Sequence, residues 1–433
     1  MDLGDRLRLP RDRGALVVLQ DGQAVTAGHI EDRSAALAER LKRLQARRAF
    51  LSTDRADRIV VALLACRTAG CDLVLHRGPG ASDALVEAMG ADVVLEDDLA
   101  AAPTGRGAHP MRSSPQVILM TSGTTGIPKA AGHDLDRLSG LIPEDRPGPA
   151  ARWLLTYHPA SFAGFQVILT ALLGQAPLAA LAAADVVGLT RLAVDFAPTS
   201  ISGTPTFWRA FLLALAGEEG RVPLRHATLG GEAADQATLD RIHRHFPQAR
   251  VTHIYASTEA GAVFAVKDGR AGFPAAWLAS DRSGLRMRIE CGVLQLKSPR
   301  RMAGYVSGHA TPLDDEGWLD TGDLVKIEGD RALFCGRANS VINVGGQKVL
   351  PEEVEAVILQ VPGVVDAHVK GIHNPITGEL VAADVVVAAG LDAAHMIEKV
   401  KSAARSLPAY AAPRIVRIVP ELAVTAGGKK HRA

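Results

Sequence analysis

The spacing of apolar positions changes several times along the chain, and each change marks an element. Thr26 to Leu41 follows a short hairpin and carries Leu37 and Leu41 four residues apart, the spacing of one helix face. Ile59-Val60-Val61-Ala62-Leu63-Leu64 falls in a second helix that stops before Gly70. Leu73-Val74-Leu75 and Val93-Val94-Leu95 are apolar runs of strand length, with a helix near Ser82 to Met89 between them. Val117-Ile118-Leu119-Met120 and Trp153-Leu154-Leu155 read as further buried strands. The alternation continues with helix 186–195, strand 200–201, helix 206–215, strand 226–229, helix 235–245 and strand 251–255. This order predicts layered α/β sheets. From 285 to 335 short strands alternate with Gly turns, the pattern of a small β subdomain.

After Arg337 the character shifts again. Val341-Ile342-Asn343-Val344 with Gly345-Gly346 predicts a hairpin. Pro351-Glu352-Glu353 opens a helix, since Pro suits the first turn and acids suit the positive dipole end. Strands at 364–372 and 379–387 and a helix at 393–406 follow. The chain thus divides into a large N-terminal domain, 1–337, and a small α+β C-terminal domain, 338–433. Segments 102–110 and 143–149 are Pro- and Gly-rich loops.

Trp153 to Ala184 contains no Asp, Glu, Lys or Arg, a length that could span a bilayer. Its His158, Pro159, Gly164, Gln166, Gly174, Gln175 and Pro177 favour a strand followed by a buried helix, Phe162 to Leu173, ended by Gly174; no membrane span is expected. Lys plus Arg total 48 and Asp plus Glu 47, a net charge of +1, without the basic footprint of a nucleic-acid binder. Cys66, Cys71, Cys291 and Cys335 form no CxxC pair. Met1-Asp2-Leu3-Gly4-Asp5-Arg6 lacks the apolar core of a secretion signal. The expectation is a cytoplasmic protein with reduced thiols.

Chemistry concentrates behind the strand at 117–120. Thr121-Ser122-Gly123-Thr124-Thr125-Gly126-Ile127-Pro128-Lys129 joins flexible glycines, one Ser and three Thr hydroxyls, and a Lys. Glycines let backbone N–H groups converge on one point, and hydroxyls and Lys129 add donors and charge, which suits a polyphosphate. The spacing is not that of the Walker loop.

The string resembles the phosphate loop of the adenylate-forming superfamily: acyl-CoA synthetases, peptide-synthetase adenylation domains and luciferases. Further motifs resemble that family in its order. They are Gly230-Gly231-Glu232, Tyr255-Ala256-Ser257-Thr258-Glu259, Gly317-Trp318-Leu319-Asp320-Thr321-Gly322-Asp323-Leu324, Gly336-Arg337 through Glu355, and Thr425-Ala426-Gly427-Gly428-Lys429. Most similar is a short acyl-CoA synthetase. The resemblance implies ATP, Mg²⁺ and CoA, or a carrier-protein phosphopantetheine, acting on a carboxylic acid through acyl-AMP.

It also implies roles. Thr121 to Gly126 and Lys129 would hold phosphates. Gly230, Gly231, Glu232 and Tyr255 would meet adenine, and Asp323 and Arg337 the ribose. Glu259, next to Thr258, would bind Mg²⁺, a hard cation that prefers carboxylate oxygen. Thr258 and Lys429 would be catalytic. The C-terminal domain would be mobile about Asn339, bringing Gly345-Gly346 to the thiol channel. Phe162, Phe165, Gly203, Thr204, Trp208 and Ala256 would form the acyl pocket, whose apolar and small residues point to an uncharged acyl or aryl acid.

Departures are visible too. Asn339 stands where the family carries Asp, Ala256 where it carries Gly, and Ser161-Phe162-Ala163-Gly164 where relatives carry His-x-x-Gly. The part before the phosphate loop reads as abbreviated, which bears on a homodimer contact. Loading of an acyl carrier protein, a non-catalytic nucleotide-binding relative and a luciferase-like oxygenase are the alternatives.

Overall fold

The computed structural model describes residues 7–78, 80, 82–96, 98–105, 114–121, 128–138, 142, 148–306, 309–375 and 377–422. Two large sheets form the body, the first mostly parallel and the second mixed, with three parallel and three antiparallel pairings. The first runs Gly261–Val266, Arg250–Ser257, His226–Gly230, Ser200–Gly203, Trp153–Leu155, Leu178–Ala180, Leu16–Gln20, Gln23–Thr26. The second runs Gly304–Tyr305, Lys129–Asp134, Gln116–Thr121, Asp72–His76, Arg48–Ser52, Val93–Leu95, Ala101–Pro103. Helices Ala27–Arg43, Ala56–Ala69 and Phe162–Gly174 share one hydrophobic core with strands of both sheets. Helices Val186–Phe196, Pro205–Ala214 and Gln236–His245 share a second core with the first sheet.

A five-stranded sheet, Phe273–Pro274, Arg331–Arg337, Leu319–Glu328, Val293–Lys297 and Arg286–Glu290, is antiparallel throughout and forms the β subdomain. The C-terminal part has its own core and sheet. Val364–Asn374 and Gly378–Val387 pair antiparallel along ten positions, and Ile415–Ile418 adds in parallel. The fold is therefore α/β, with a small β subdomain and a separate C-terminal domain.

Local chemistry explains where helices start. Ser161, Thr204 and Asp235 each accept a hydrogen bond from the backbone N–H three residues on, at the N-termini of Phe162–Gly174, Pro205–Ala214 and Gln236–His245. The end of Phe162–Gly174 differs from expectation. Gly174 is its last helical residue, and Gln175 takes the left-handed cap at φ 51°. Within this helix Gly164 presses on the preceding loop, where a Cβ would lie 2.1 Å from the His158 carbonyl oxygen. Gly345 and Gly346 turn the predicted hairpin, Ile342–Val344 to Gln347–Val349, with φ of 58° and 85°. Both positive values belong to a turn that favours Gly.

The two domains touch through buried charge. Arg209, in helix Pro205–Ala214, places Nε 2.9 Å from Asp366 Oδ1 of the C-terminal domain. Arg241 donates to the carbonyls of Leu359, Val364 and Val365. Among the described residues no helix is long and apolar enough to cross a membrane.

Candidate active site

Two groups of side chains carry most of the motifs. The first gathers at the second sheet. Lys129 begins the strand that leaves the phosphate loop, and its Nζ lies 5.7 Å from the centroid of the Tyr305 ring. The Tyr305 hydroxyl donates to Glu259 Oε1 at 2.8 Å. Burial, and then the Glu259 charge, push the Tyr305 pKa up, so it stays a donor at neutral pH. The Glu259 carbonyl accepts from Met302 N at 2.9 Å, which ties its turn to the residues before Tyr305. Thr258 lies in the same turn, between Arg250–Ser257 and Gly261–Val266.

The second group joins the first sheet to the β subdomain. Tyr255 donates to Asp323 Oδ2 at 2.5 Å, and Arg337 Nε donates to Asp323 Oδ1 at 2.8 Å. Arg337 Nη2 also donates to the Thr321 carbonyl at 2.8 Å. Burial alone would lower the Arg337 pKa, but the charge and hydrogen bond of Asp323 raise it. The Tyr255 ring stacks on Phe264 and Phe334, at centroid distances of 5.2 and 4.8 Å. Its stacking partners here are side chains.

The Gly230-Gly231-Glu232 turn is held from two sides. Tyr157 donates to the Gly230 carbonyl at 3.1 Å, and Glu232 Oε2 accepts from Thr206 N and Oγ1 at 3.1 and 2.8 Å. Glu232 thus sits at a helix N-terminus, where a carboxylate is favourable.

The six acyl-pocket residues separate. Phe165 and Trp208 are fully buried in core, and Trp208 Nε1 donates to the Thr228 carbonyl at 2.9 Å. Thr204 is buried as a helix cap, and a Cβ on Gly203 would meet the Phe207 ring at 2.3 Å. Phe162 packs at 5.6 Å against the ring of His133, and Ala256 is partly buried against the core that holds Phe162. Asn339 and the Gly345-Gly346 turn are exposed to solvent. Ser122, Gly123, Thr124, Thr125, Gly126 and Lys429 lie outside the described residues, as does the side chain of Thr121.

The structure adds two residues to the site. Tyr305 links Lys129 to Glu259, but a two-residue strand leaves no periodic signal in the sequence. His133 is fully buried and faces the backbone of Thr258 without closing a hydrogen bond, since neither ring nitrogen has a partner. Burial, with the charge of Arg137, lowers its pKa to about 4. The Ala and Gly residues of Lys129–Asp134 leave little strand signal to point to it.

Among the described residues, no three His, Cys, Asp or Glu side chains gather to hold a metal. One carboxylate, Glu259, stands near Lys129. That fits a Mg²⁺ ion that arrives on a polyphosphate and takes most of its ligands from it and from water.

The family model of AMP-binding enzymes matches residues 92–288, and that of the AMP-binding enzyme C-terminal domain matches 353–429. The chain is 28% identical over 339 residues to a p-hydroxybenzoic acid–AMP ligase of Mycobacterium tuberculosis, covering 72% of this chain and 47% of that protein. It is 28% identical over 341 residues to a 2-succinylbenzoate–CoA ligase of Bacillus licheniformis, covering 73% and 68%. The chain thus spans about half the length of the first relative and about two thirds of the second. In fold it is similar to an anthranilate CoA ligase solved with anthranoyl-AMP, with a TM-score of 0.81, 17% identity and coverage of 99% and 95%. A benzoate CoA ligase from Burkholderia xenovorans gives a TM-score of 0.78 at 20% identity, covering 97% and 96%. With both family models matched in chain order and the fold shared along nearly the whole length, the chain belongs to the adenylate-forming superfamily of AMP-binding enzymes.

Proposed function

We propose that the chain is an ATP-dependent carboxylic acid–CoA ligase, working through acyl-AMP with AMP and pyrophosphate as products. The observation that carries this is the Lys129–Tyr305–Glu259 group at the exit of the phosphate loop. Lys129 would stay with the phosphates, and Glu259, oriented by Tyr305, would hold Mg²⁺. The ion would neutralise phosphate charge during attack by the acid. Asp323, fixed by Tyr255 and Arg337, would accept the ribose hydroxyls, and the Gly230-Gly231 turn would border adenine. Residues 1–337 would carry this chemistry. Residues 338–433 would swing about Asn339, first delivering Lys429 and then the Gly345-Gly346 turn for the thiol. The exposed turn fits an orientation in which the thiol step has not begun.

Relatives named as 2-succinylbenzoate–CoA ligases support CoA as the acceptor. The second reading, loading of a carrier-protein phosphopantetheine, is supported by the p-hydroxybenzoic acid–AMP ligases, whose name stops at the adenylate. A cytoplasmic setting fits the four free cysteines.

Half-reactions test the assignment. Lys429→Ala should abolish acyl-AMP formation and spare thioester formation from supplied acyl-AMP. Equal loss of both steps contradicts the role. Glu259→Gln should raise the Mg²⁺ concentration needed for half-maximal adenylation; an unchanged requirement removes it from the metal site.

A further inference from the structure

Arg77 follows the strand Asp72–His76 and is half-buried. Its Nε is sealed from solvent and has no hydrogen-bond partner. Among the described residues no carboxylate pairs with it, and burial is the sole influence on its pKa, which falls. A guanidinium nitrogen sealed from water without an acceptor is costly, and the described residues supply no acceptor for this one.

Its surroundings are built from three strand ends. Ser52 closes Arg48–Ser52, and its Oγ lies 3.2 Å from His76 Nδ1 and also donates to the Gly78 carbonyl. His158 comes from the loop after Trp153–Leu155, and its Nδ1 accepts from Ala160 N at 3.2 Å, which leaves Nε2 as the ring's other polar edge. Burial first, then the charge of Arg77, lowers the His158 pKa to about 4, against an opposing pull from Asp54. Carboxyl ends of parallel strands are where α/β sheets receive ligands. The residue before His158, Tyr157, donates to the Gly230 carbonyl of the candidate adenine turn.

We propose that Arg77, flanked by Ser52, His76 and His158, receives an oxyanion carried by a co-substrate: a second carboxylate on the acid, or a phosphate of CoA. The planar guanidinium fork matches either group, and a lysine would not reproduce it. A second carboxylate would change the substrate class from the uncharged acid expected on composition to a dianion. This inference rests on the ligase reading.

Calorimetric titration of wild type and Arg77→Met with CoA, pantetheine, succinate and butyrate tests it without turnover. A tenfold or larger loss for CoA, with pantetheine unchanged, assigns the site to phosphate. The same loss for succinate, with butyrate unchanged, assigns it to carboxylate. Equal binding of all four probes by both proteins overturns the proposal. Arg77→Lys should recover little of the lost affinity; full recovery also overturns the fork-specific site. Absent turnover with Arg77-dependent binding would count against the ligase reading alone. Turnover with Arg77-independent binding would count against this site alone.

Discussion

Arg209 is a buried guanidinium and Arg77 a half-buried one whose Nε is sealed from solvent, and the described residues treat them in opposite ways. Arg209 has Asp235 at 2.9 Å, Asp366 at 2.9 Å, and the hydroxyls of Thr206 and Thr238 at 3.1 Å. Burial would lower its pKa, yet Asp366, Asp235 and Glu232 raise it. Arg48 is likewise matched by Asp72 and the Met89 carbonyl, and Arg331 by Asp268 and three carbonyls. Among the described residues Arg77 has no such set. Where a buried charge serves the fold, the chain supplies its counter-ion; where it serves a ligand, the counter-ion is left to the ligand. The contrast separates a structural arginine from a binding one without reference to sequence position.

The largest expected effect falls on the saturated side. Arg209→Ala leaves buried Asp366 and part-buried Asp235 without their cation, a loss of about 3–5 kcal/mol in denaturant unfolding. A loss below about 1 kcal/mol would show that the pair is not a structural anchor and weaken the contrast.

Next comes pH. His133 has a pKa of about 4 in the folded chain against an ordinary 6.5, so between these values the unfolded chain binds more protons. Its contribution is therefore complete above pH 6.5 and is lost as pH falls to about 4, at most about 3 kcal/mol. His158 shifts the same way, so wild type should lose stability over this window, and His133→Phe should flatten the slope without removing it. Identical slopes would mean that His133 protonates freely when folded.

Gly164→Ala puts a methyl group into the His158 carbonyl oxygen and should cost about 1–3 kcal/mol. It also displaces His158, so it should weaken Arg77-dependent probe binding. Normal binding would place the anion away from His158. The smallest effect has the opposite sign. Arg77→Met should stabilise the ligand-free protein by about 1 kcal/mol, the exchange expected where a site carries strain for function. A lower unfolding midpoint would make Arg77 a structural residue like Arg209.

Much of this architecture was legible because it is local. Ser161, Thr204 and Asp235 are hydroxyl or carboxylate residues just before apolar periodic runs, and each caps a helix. The Gly345-Gly346 hairpin was legible from its turn residues. What sequence did not reveal depends on partners distant along the chain. Lys129–Asp134, with its Ala and Gly, has little strand propensity and becomes a strand by pairing with Gln116–Thr121. Arg48–Ser52 is fixed between two parallel neighbours. Phe165 and Trp208 carried the same apolar signal as Phe162; all three are buried, and the ring contact with His133 is what sets Phe162 apart. The motif glutamate Glu259 was legible, while Tyr305, 46 positions further on and bonded to it, was not.

The central claim is that the chain joins a carboxylic acid to CoA at the expense of ATP. Mass spectrometry of the purified protein with Mg²⁺-ATP, CoA and a panel of carboxylic acids, mono- and dianionic, tests it most directly. The account predicts an acyl-CoA product with AMP, from at least one acid. Acyl-AMP accumulating with no CoA thioester would contradict CoA as acceptor and move the assignment to carrier-protein loading. The absence of both acyl-AMP and thioester across the panel would contradict the ligase assignment itself.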